Sequence, residues 1–199
     1  MGLAWSTPIV AFVPRPHRVQ VADGLYHVTA HSNVGRLAFR DDRERKRFLV
    51  LLGATVIRYG WSCRGYCLLS THYHLFMTTP QADIAAGMQY LNGRYGQWAN
   101  WNRAERGHLF EGRYRAVLVE SQGHATEVHR YIALNPVRAG LVALPEEWKW
   151  SSYCAVLGLV EPLALLDVDA ALADFATAPA DARRRLRSFV LDALLSDAA

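Results

Sequence analysis

The amino-acid sequence predicts an α+β fold built on an antiparallel sheet. Four short segments are rich in alternating apolar, β-branched and aromatic residues, which is typical of strands. Three longer segments repeat apolar residues every three or four positions, which is typical of amphipathic helices. Their order is strand, helix, strand, strand, helix, strand, helix. We therefore expect a ferredoxin-like sheet with packed helices and one extra C-terminal helix.

The strand segments are bounded by residues typical of turns. They comprise residues 24–31, 61–69, 72–78 and 113–120. Only Ser70 and Thr71 separate the second segment from the third, and this spacing is typical of a β-hairpin. The third strand therefore begins at His72, directly after a turn.

The helical segments carry start and stop signals. The first is predicted over residues 41–59 after an Asp-Asp start, and the second over residues 84–102. Ser121 is a candidate N-cap for the third helix. Pro136 is expected to end that helix, because proline lacks a backbone N–H and disfavours helical geometry in the residue before it.

The chain is predicted to have three parts. Residues 1–17 contain three prolines and are expected to form an N-terminal arm. Residues 18–158 carry the motifs described below and form one domain. Residues 159–199 form a helical tail rich in alanine, leucine and aspartate, in which the arginines of residues 183–187 are either a basic patch or a solvated helix face.

Charge is unevenly distributed along the chain. Residues 1–160 hold 18 Lys or Arg against 11 Asp or Glu, a net charge of +7, whereas residues 161–199 hold 4 against 7, a net charge of −3. Of the 22 cationic residues, 20 are arginine, whose planar guanidinium contacts phosphates and stacks on bases. A nucleic-acid partner and an arginine-biased genome explain this composition equally well.

The cysteines and the N-terminus limit the cellular context. Three cysteines, Cys63, Cys67 and Cys154, are too few and too irregularly spaced for a disulfide framework or a structural zinc site. The N-terminus lacks a basic leader and a clear cleavage site, and no apolar run reaches the length of a membrane span. We therefore expect a cytoplasmic protein.

The third strand places two histidines side by side. Because successive strand side chains point to opposite faces, His72 and His74 share a face while Tyr73 points away from them. Two adjacent imidazoles can each offer a ring nitrogen to one divalent ion. The spacing alone is equally consistent with two ordinary half-buried histidines.

The third helix supplies the groups that favour a metal site. Tyr131 and Asn135 are four residues apart and therefore lie on one helix face. Packed against the histidine strand, they would bring a nucleophile and a neutral oxygen ligand to His72 and His74. Because the ligands are nitrogen and oxygen atoms, Mg²⁺ or Mn²⁺ is expected, although a histidine pair also suits zinc.

Several motifs together resemble a known family, the single-tyrosine HUH transposases of the REP-associated type. The motifs follow the order of the family over about residues 15–158. They are Tyr-His-Val-Thr at 26–29, His-Tyr-His-Leu at 72–75, Gly-His-Leu-Phe-Glu-Gly-Arg-Tyr at 107–114, Tyr-Ile-Ala-Leu-Asn-Pro-Val-Arg-Ala-Gly at 131–140 and Pro-Glu-Glu-Trp-Lys-Trp-Ser-Ser-Tyr at 145–153.

The resemblance implies an activity and a substrate. It implies a metal-dependent enzyme that nicks and rejoins single-stranded DNA hairpins through a covalent 5′-phosphotyrosine. Tyr131 would be the nucleophile, and His72, His74 and Asn135 would bind the metal. Some related transposases carry glutamine where this chain has Asn135, whereas the REP-associated type carries asparagine, and the ligand role of Asn135 is the less secure one. Both a monomer and a homodimer fit the sequence.

Other side chains are candidates for contact with DNA or metal. His27 and His31 share a face of the first strand, where they either approach the metal or simply flank the core. Trp101 is a candidate for stacking on an unpaired base, and packing in the protein explains it equally well. The arginine candidates for DNA contact are Arg15, Arg18, Arg113, Arg115 and Arg138.

Three other functions remain open on the sequence alone. A non-catalytic hairpin-binding protein would use the same surface without needing Tyr131. An RNA-binding ferredoxin-like domain would stack bases on its sheet, although the usual aromatic strand motif is absent. A metal-dependent hydrolase would use the histidines and leave Tyr131 without a role.

Overall fold

The computed structural model describes residues 20–197, and the predicted arm over residues 1–17 lies outside this range. Four strands and three long helices form its centre, and two short helices and a fourth long helix follow them. The strands are β1 Gly24–His31, β2 Ser62–Leu68, β3 His72–Thr79 and β4 Arg115–Leu118. The helices are α1 Asp42–Tyr59, α2 Ile84–Arg103, α3 Gln122–Arg138, α4 Tyr153–Val156, α5 Val168–Ala173 and α6 Pro179–Asp197, with a 3₁₀ turn at Pro145–Glu147 before α4.

The four strands form one antiparallel sheet in the order β2-β3-β1-β4. This arrangement confirms the predicted α+β class with an antiparallel sheet. The register places His31 opposite His72 and Thr29 opposite His74. Strand β4 is shorter than the segment predicted over residues 113–120, because its pairing with β1 extends only from Arg115 to Leu118.

Helices cover both faces of the sheet. On one face, α1 and α2 pack against fully buried side chains of β1 and β3 such as Val28, Tyr73 and Leu75. On the other face, Val128 and Ile132 of α3 belong to a second buried cluster that contains residues of β2 and β3. The sheet therefore separates the α1–α2 layer from the α3 layer.

Helix α3 begins where the sequence predicts and ends later. The Ser121 hydroxyl accepts a hydrogen bond from the backbone N–H of His124, which confirms the predicted N-cap. Pro136, however, does not stop the helix, which continues through it to Arg138. The backbone N–H of Ala139 still reaches the carbonyl of Asn135 at 2.9 Å. Pro136 itself has no backbone N–H to donate.

The segment after α3 covers the free edge of β2. The hydroxyl of Ser152 accepts the backbone N–H of Tyr66 at 2.9 Å, and the N–H of Leu68 donates to the carbonyl of Trp150 at 3.0 Å. Further along, the N–H of Asp167 donates to the carbonyl of Cys63 at 2.8 Å. An edge covered in this way has few groups left to pair with another chain.

The later helices share the core of the domain. Leu172 of α5 and Leu186 and Val190 of α6 are buried in the same cluster as residues of the sheet. Cys63 and Cys67 are buried and free. No helix within residues 20–197 is long and apolar enough to cross a membrane.

A buried ion pair joins the start of α1 to the end of α2. The guanidinium of Arg103 donates through Nε to Oε1 of Glu44 at 2.7 Å and through Nη2 to Oε2 at 2.6 Å. Both side chains are 2% exposed. Arg103 also donates to the carbonyls of Leu37 and Ala38, so its charge is compensated inside the protein.

Replacing Glu44 with glutamine should therefore destabilise the fold. The substitution leaves the Arg103 charge buried without its counterion, which costs about 3 kcal/mol or more of unfolding free energy. Chemical denaturation measures this difference. The exposed pair of Lys149 and Asp42 provides the control, because Lys149→Met should cost less than about 1 kcal/mol. Equal losses in the two variants would contradict the role given to the buried pair.

Candidate active site

A pocket of about 460 Å³ opens between the sheet and α3. Four histidines of the sheet line it together with a tyrosine of α3: His27, His31, His72, His74 and Tyr131. The histidines come from β1 and β3, where strand alternation points them to the α3 face. The structure thus brings the predicted histidine pair, the predicted tyrosine and both histidines of β1 into one site.

His74 is the most deeply buried imidazole of the pocket, with 2% of its surface exposed. Its Nδ1 lies 3.0 Å from Nε2 of His27 and 3.1 Å from Oγ1 of Thr29. Its Nε2 is buried and has no hydrogen-bond partner among the described residues. Burial, with smaller contributions from His27 and His72, lowers the pKa of His74 to about 2. The ring is therefore neutral at physiological pH.

His72 sits beside His74 in a less buried position. Its Nδ1 lies 3.0 Å from Oγ1 of Thr71. The ring stacks on His31 with centroids 4.6 Å apart, and its centroid is 5.0 Å from that of His74. Burial and the neighbouring His31 lower the pKa of His72. Its neutral form is thus favoured as well.

Asn135 reaches both predicted ligands from α3. Its Nδ2 donates to the carbonyl of Tyr131 at 3.2 Å, which leaves the amide oxygen available to the histidines. Contact with the Asn135 side chain raises the pKa of His72 and of His74 and so offsets part of the lowering caused by burial. The Asn135 side chain forms no hydrogen bond of normal geometry with Nε2 of His74.

These three side chains fit a metal ion that takes nitrogen and oxygen ligands. Within residues 20–197, no three His, Cys, Asp or Glu side chains are grouped as a metal site. The side chain of Asn135 would offer an amide oxygen as a third ligand beside the histidine pair. The buried, unpartnered Nε2 of His74 is the atom that such an ion would satisfy.

Tyr131 lies at the mouth of the pocket. Its ring centroid is 5.2 Å from that of His74 and 5.6 Å from that of His27. The side chain is 42% exposed, whereas Tyr114 and Tyr153 are 7% and 4% exposed. Burial also raises the pKa of Tyr153. Of these three tyrosines, only Tyr131 is both accessible and next to the histidines.

The DNA-contact candidates are scattered over the molecule. Arg115 lines the histidine pocket, Arg113 lines a separate groove beside α2, and Arg138 is exposed at the end of α3. Trp101 is exposed on α2, which lies on the opposite side of the sheet from Tyr131. Arg15 and Arg18 lie outside the described residues.

Three polar residues of the pocket were not predicted from the sequence. Thr29 holds the His74 ring, and His124 and Glu127 line the pocket from α3. Glu127 precedes Tyr131 by four residues, so the helical period placed it on the same face. Predicting the contact of Thr29 with His74 requires the register of β1 against β3, which the sequence did not reveal.

Residues 20–135 match the family model described as transposase IS200 like, which covers more than half of the chain. The chain belongs to the IS200-like transposase family. This confirms the resemblance inferred from the motifs. Membership makes this transposase a DNA-processing enzyme.

Solved structures show where the fold of the transposase recurs. The structure of a REP-associated tyrosine transposase bound to a REP hairpin is 15% identical, with a TM-score of 0.61 over 79% of this chain and 90% of that chain. A tRNA(His) guanylyltransferase from Saccharomyces cerevisiae is 13% identical, with a TM-score of 0.37 over 68% and 73% of the two chains, too low to indicate a shared fold. No curated protein sequence matches the transposase.

Unfolding at acidic pH tests the burial of the histidine cluster in the metal-free protein. Burial lowers the pKa of His27 from 6.5 to about 4, so the unfolded chain binds more protons between these values. This stabilisation is complete above pH 6.5 and is lost as the pH falls through 4. Its size is on the order of 3 kcal/mol.

The His27→Gln variant isolates this contribution, because glutamine does not titrate. We expect its unfolding free energy, measured with EDTA present, to fall less steeply than that of the unaltered protein between pH 6.5 and 4. Titrating groups that do not contact His27 are common to both proteins and cancel in the comparison, and His74, which does contact it, has a pKa of about 2, below this pH range. Identical slopes would contradict the burial of a neutral His27.

Proposed function

We propose that this transposase cuts and rejoins single-stranded DNA through a covalent bond between Tyr131 and a 5′ phosphate. The observation that carries the proposal is the buried, unpartnered Nε2 of His74, which faces Asn135 beside an exposed Tyr131. A buried imidazole nitrogen without a partner is costly in a folded protein. The cost is understandable if the atom serves as a ligand.

The reaction at Tyr131 is a phosphoryl transfer. The tyrosine oxygen forms a bond to phosphorus as the bond from phosphorus to the 3′ oxygen of the preceding nucleotide breaks. The hydroxyl proton leaves Tyr131, and the departing 3′ oxygen takes up a proton and becomes a free hydroxyl. When a 3′ hydroxyl attacks the phosphotyrosine, the same step runs in reverse. No external energy source is required, because each bond broken is replaced by another phosphoester.

His72, His74 and Asn135 are the residues that would hold a divalent ion, Mg²⁺ or Mn²⁺. Such an ion would neutralise charge on the phosphate oxygens and orient the phosphate for attack. The lowered pKa of the two histidines favours the neutral rings, in which one nitrogen is unprotonated and can bind a metal.

His27 and Thr29 act in this proposal as positioning residues. Both contact Nδ1 of His74 and thereby hold the ring with Nε2 toward Asn135. Metal-bound histidines generally form a hydrogen bond through the other ring nitrogen, which sets the tautomer and the orientation of the ring. His27 and Thr29 thus contact Nδ1 of His74 in the same way that Thr71 contacts Nδ1 of His72.

The proposed substrate is a single-stranded hairpin. The REP-associated tyrosine transposase with the same fold is bound to a REP hairpin, and the motifs of this chain resemble that type. Arg115 lines the pocket next to Tyr131, where its guanidinium can bind a phosphate. A strand that is locally unpaired would give the tyrosine access to the backbone.

The covalent intermediate is the sharpest test. Incubation with single-stranded repeat DNA from beside the gene should produce a protein–DNA adduct that survives denaturation. Tyr131→Phe removes one hydroxyl and should abolish the adduct while the fold remains. Mapping should locate the DNA on the tryptic peptide of residues 131–138.

Tyr153→Phe is the matched control, because it removes a buried hydroxyl and should leave the adduct intact. Attachment at Tyr114 or Tyr153 would refute the assignment of the nucleophile. Cleavage without any adduct would favour a hydrolase, and binding without cleavage would favour a non-catalytic hairpin-binding protein.

Calorimetric titration with Mn²⁺ tests the metal site without relying on activity. His74→Ala should remove most of the binding, and Asn135→Ala should weaken it. His27→Phe should weaken it by about 10- to 100-fold through the lost contact to His74, whereas His27→Gln, which keeps a hydrogen-bonding group, should lose less. His108→Ala, at an exposed histidine outside the pocket, is the control. Unchanged Mn²⁺ affinity in His74→Ala would contradict the metal site.

A further inference from the structure

An arginine-rich groove lies on the side of the molecule away from Tyr131. It runs between the solvent-facing sides of α1 and α2 and has a volume of about 520 Å³. We call it the α1–α2 groove. The side chains that define it are Arg47, Tyr90, Arg94, Gln97, Trp98 and Trp101.

The two antiparallel helices interleave arginines with aromatic rings along this groove. The guanidinium carbons of Arg43 and Arg47 lie 5.8 Å and 5.7 Å from the Trp98 ring centroid. At the other end, those of Arg58 and Arg94 lie 4.9 Å and 5.4 Å from the centroid of Tyr90. From Arg43 to Arg58, α1 extends over about 22 Å, so the cations form a row.

The row has no internal counterions. Arg43, Arg47, Arg58 and Arg94 form no ion pair with any residue between 20 and 197. The sequence from residue 45 to residue 104 contains a single carboxylate, Asp83, which accepts a hydrogen bond from the Trp61 indole. A surface patch of one sign of charge attracts ligands of the opposite sign.

Trp101 adds an aromatic surface without a partner. Its side chain is 79% exposed, and its ring stacks on no other ring or guanidinium of the described residues. Packing therefore does not explain this residue. Exposed tryptophans beside arginines are the combination with which proteins bind unpaired bases and the phosphates between them.

We propose that the α1–α2 groove is a second binding surface for single-stranded DNA. The arginine row would contact successive phosphates, and Trp101 would stack on a base. An unpaired strand is required, because the bases of a duplex are not free to stack on a side chain. The choice of DNA over RNA rests on the proposed function, whereas the groove itself rests on its own residues.

The position of the groove gives it a role distinct from cleavage. The α1–α2 layer separates it from the sheet, and the sheet separates it from α3 and Tyr131. A strand bound there is not the segment being cut. The groove would hold DNA that flanks the hairpin and so retain the substrate between cutting and rejoining.

Anisotropy measurements with labelled oligothymidine test this surface in the full chain. All variants carry Tyr131→Phe, so that cleavage does not consume the probe. Trp101→Ala should weaken binding by about fivefold or more, and Trp101→Phe should restore most of it, because a ring remains for stacking. The pair Arg47→Gln and Arg94→Gln should lower the slope of log affinity against log salt by about 1.4.

The matched control removes two arginines that already have partners. Arg184 pairs with Asp181, and Arg187 pairs with Glu146, so Arg184→Gln with Arg187→Gln changes the net charge equally outside the groove. This control should leave the salt slope unchanged. An equal change of the salt slope in both double variants would show that the arginines of the groove act only through net charge, and it would overturn the proposal. Unchanged affinity in Trp101→Ala would overturn it as well.

Photo-crosslinking identifies the contact directly. Oligodeoxyuridine carrying iodine on its bases should crosslink to the tryptic peptide of residues 95–103, which contains Trp98 and Trp101. Tighter binding of oligouridine than of oligothymidine, with the same loss in Trp101→Ala, would overturn the assignment to DNA. Failure of the Tyr131 adduct would refute the proposed function alone, because the crosslink does not depend on cleavage.

Discussion

Strand β3 is packed on both faces, and the positions of the surrounding elements depend on this constraint. Tyr73, Leu75 and Met77 point into the core under α1 and α2, while His74 and Phe76 point toward α3. The odd-numbered side chains are fully buried. A slip of one residue would exchange the two faces and bury histidines under α1. Core packing on one side thus holds the histidines in register on the other.

Helix α3 depends on the same strand and on the C-terminal helices. Val128 and Ile132 pack in the cluster that contains Phe76. The ring of His129 packs edge-on against Phe76. Its Nε2 lies 3.0 Å from Oδ2 of Asp174. The other carboxylate oxygen of Asp174, Oδ1, accepts a hydrogen bond from Arg64 at 2.8 Å. Because Val128, His129 and Ile132 point into the protein, the adjacent face of α3, which carries Tyr131 and Asn135, points toward the histidines. The segment after residue 158 is therefore part of the support of Tyr131 and Asn135.

Much of this arrangement followed from local periodicity in the sequence. Strand alternation placed His72 and His74 on one face, and the helical period placed Tyr131 and Asn135 together. The diagonal contact from His27 to His74 depends on strand register, and no local pattern encodes it. The extension of α3 past Pro136 also escaped prediction, because one missing hydrogen bond near a helix end costs less than proline in a helix interior. The side of the sheet on which Trp101 lies required the full topology.

The histidine pocket and the α1–α2 groove differ in their electrostatics. Burial lowers the pKa of His27, His72 and His74 and so favours their neutral forms, which keep a lone pair available for a metal ion. One arginine, Arg115, lines the same pocket next to Tyr131, where its guanidinium can bind a phosphate. Cations that lie outside can still attract DNA, although salt screens exposed charges beyond about 10 Å. In the proposed reaction, the arginines of the α1–α2 groove would attract the strand over distance, whereas His72, His74 and Asn135 would orient one phosphate at Tyr131.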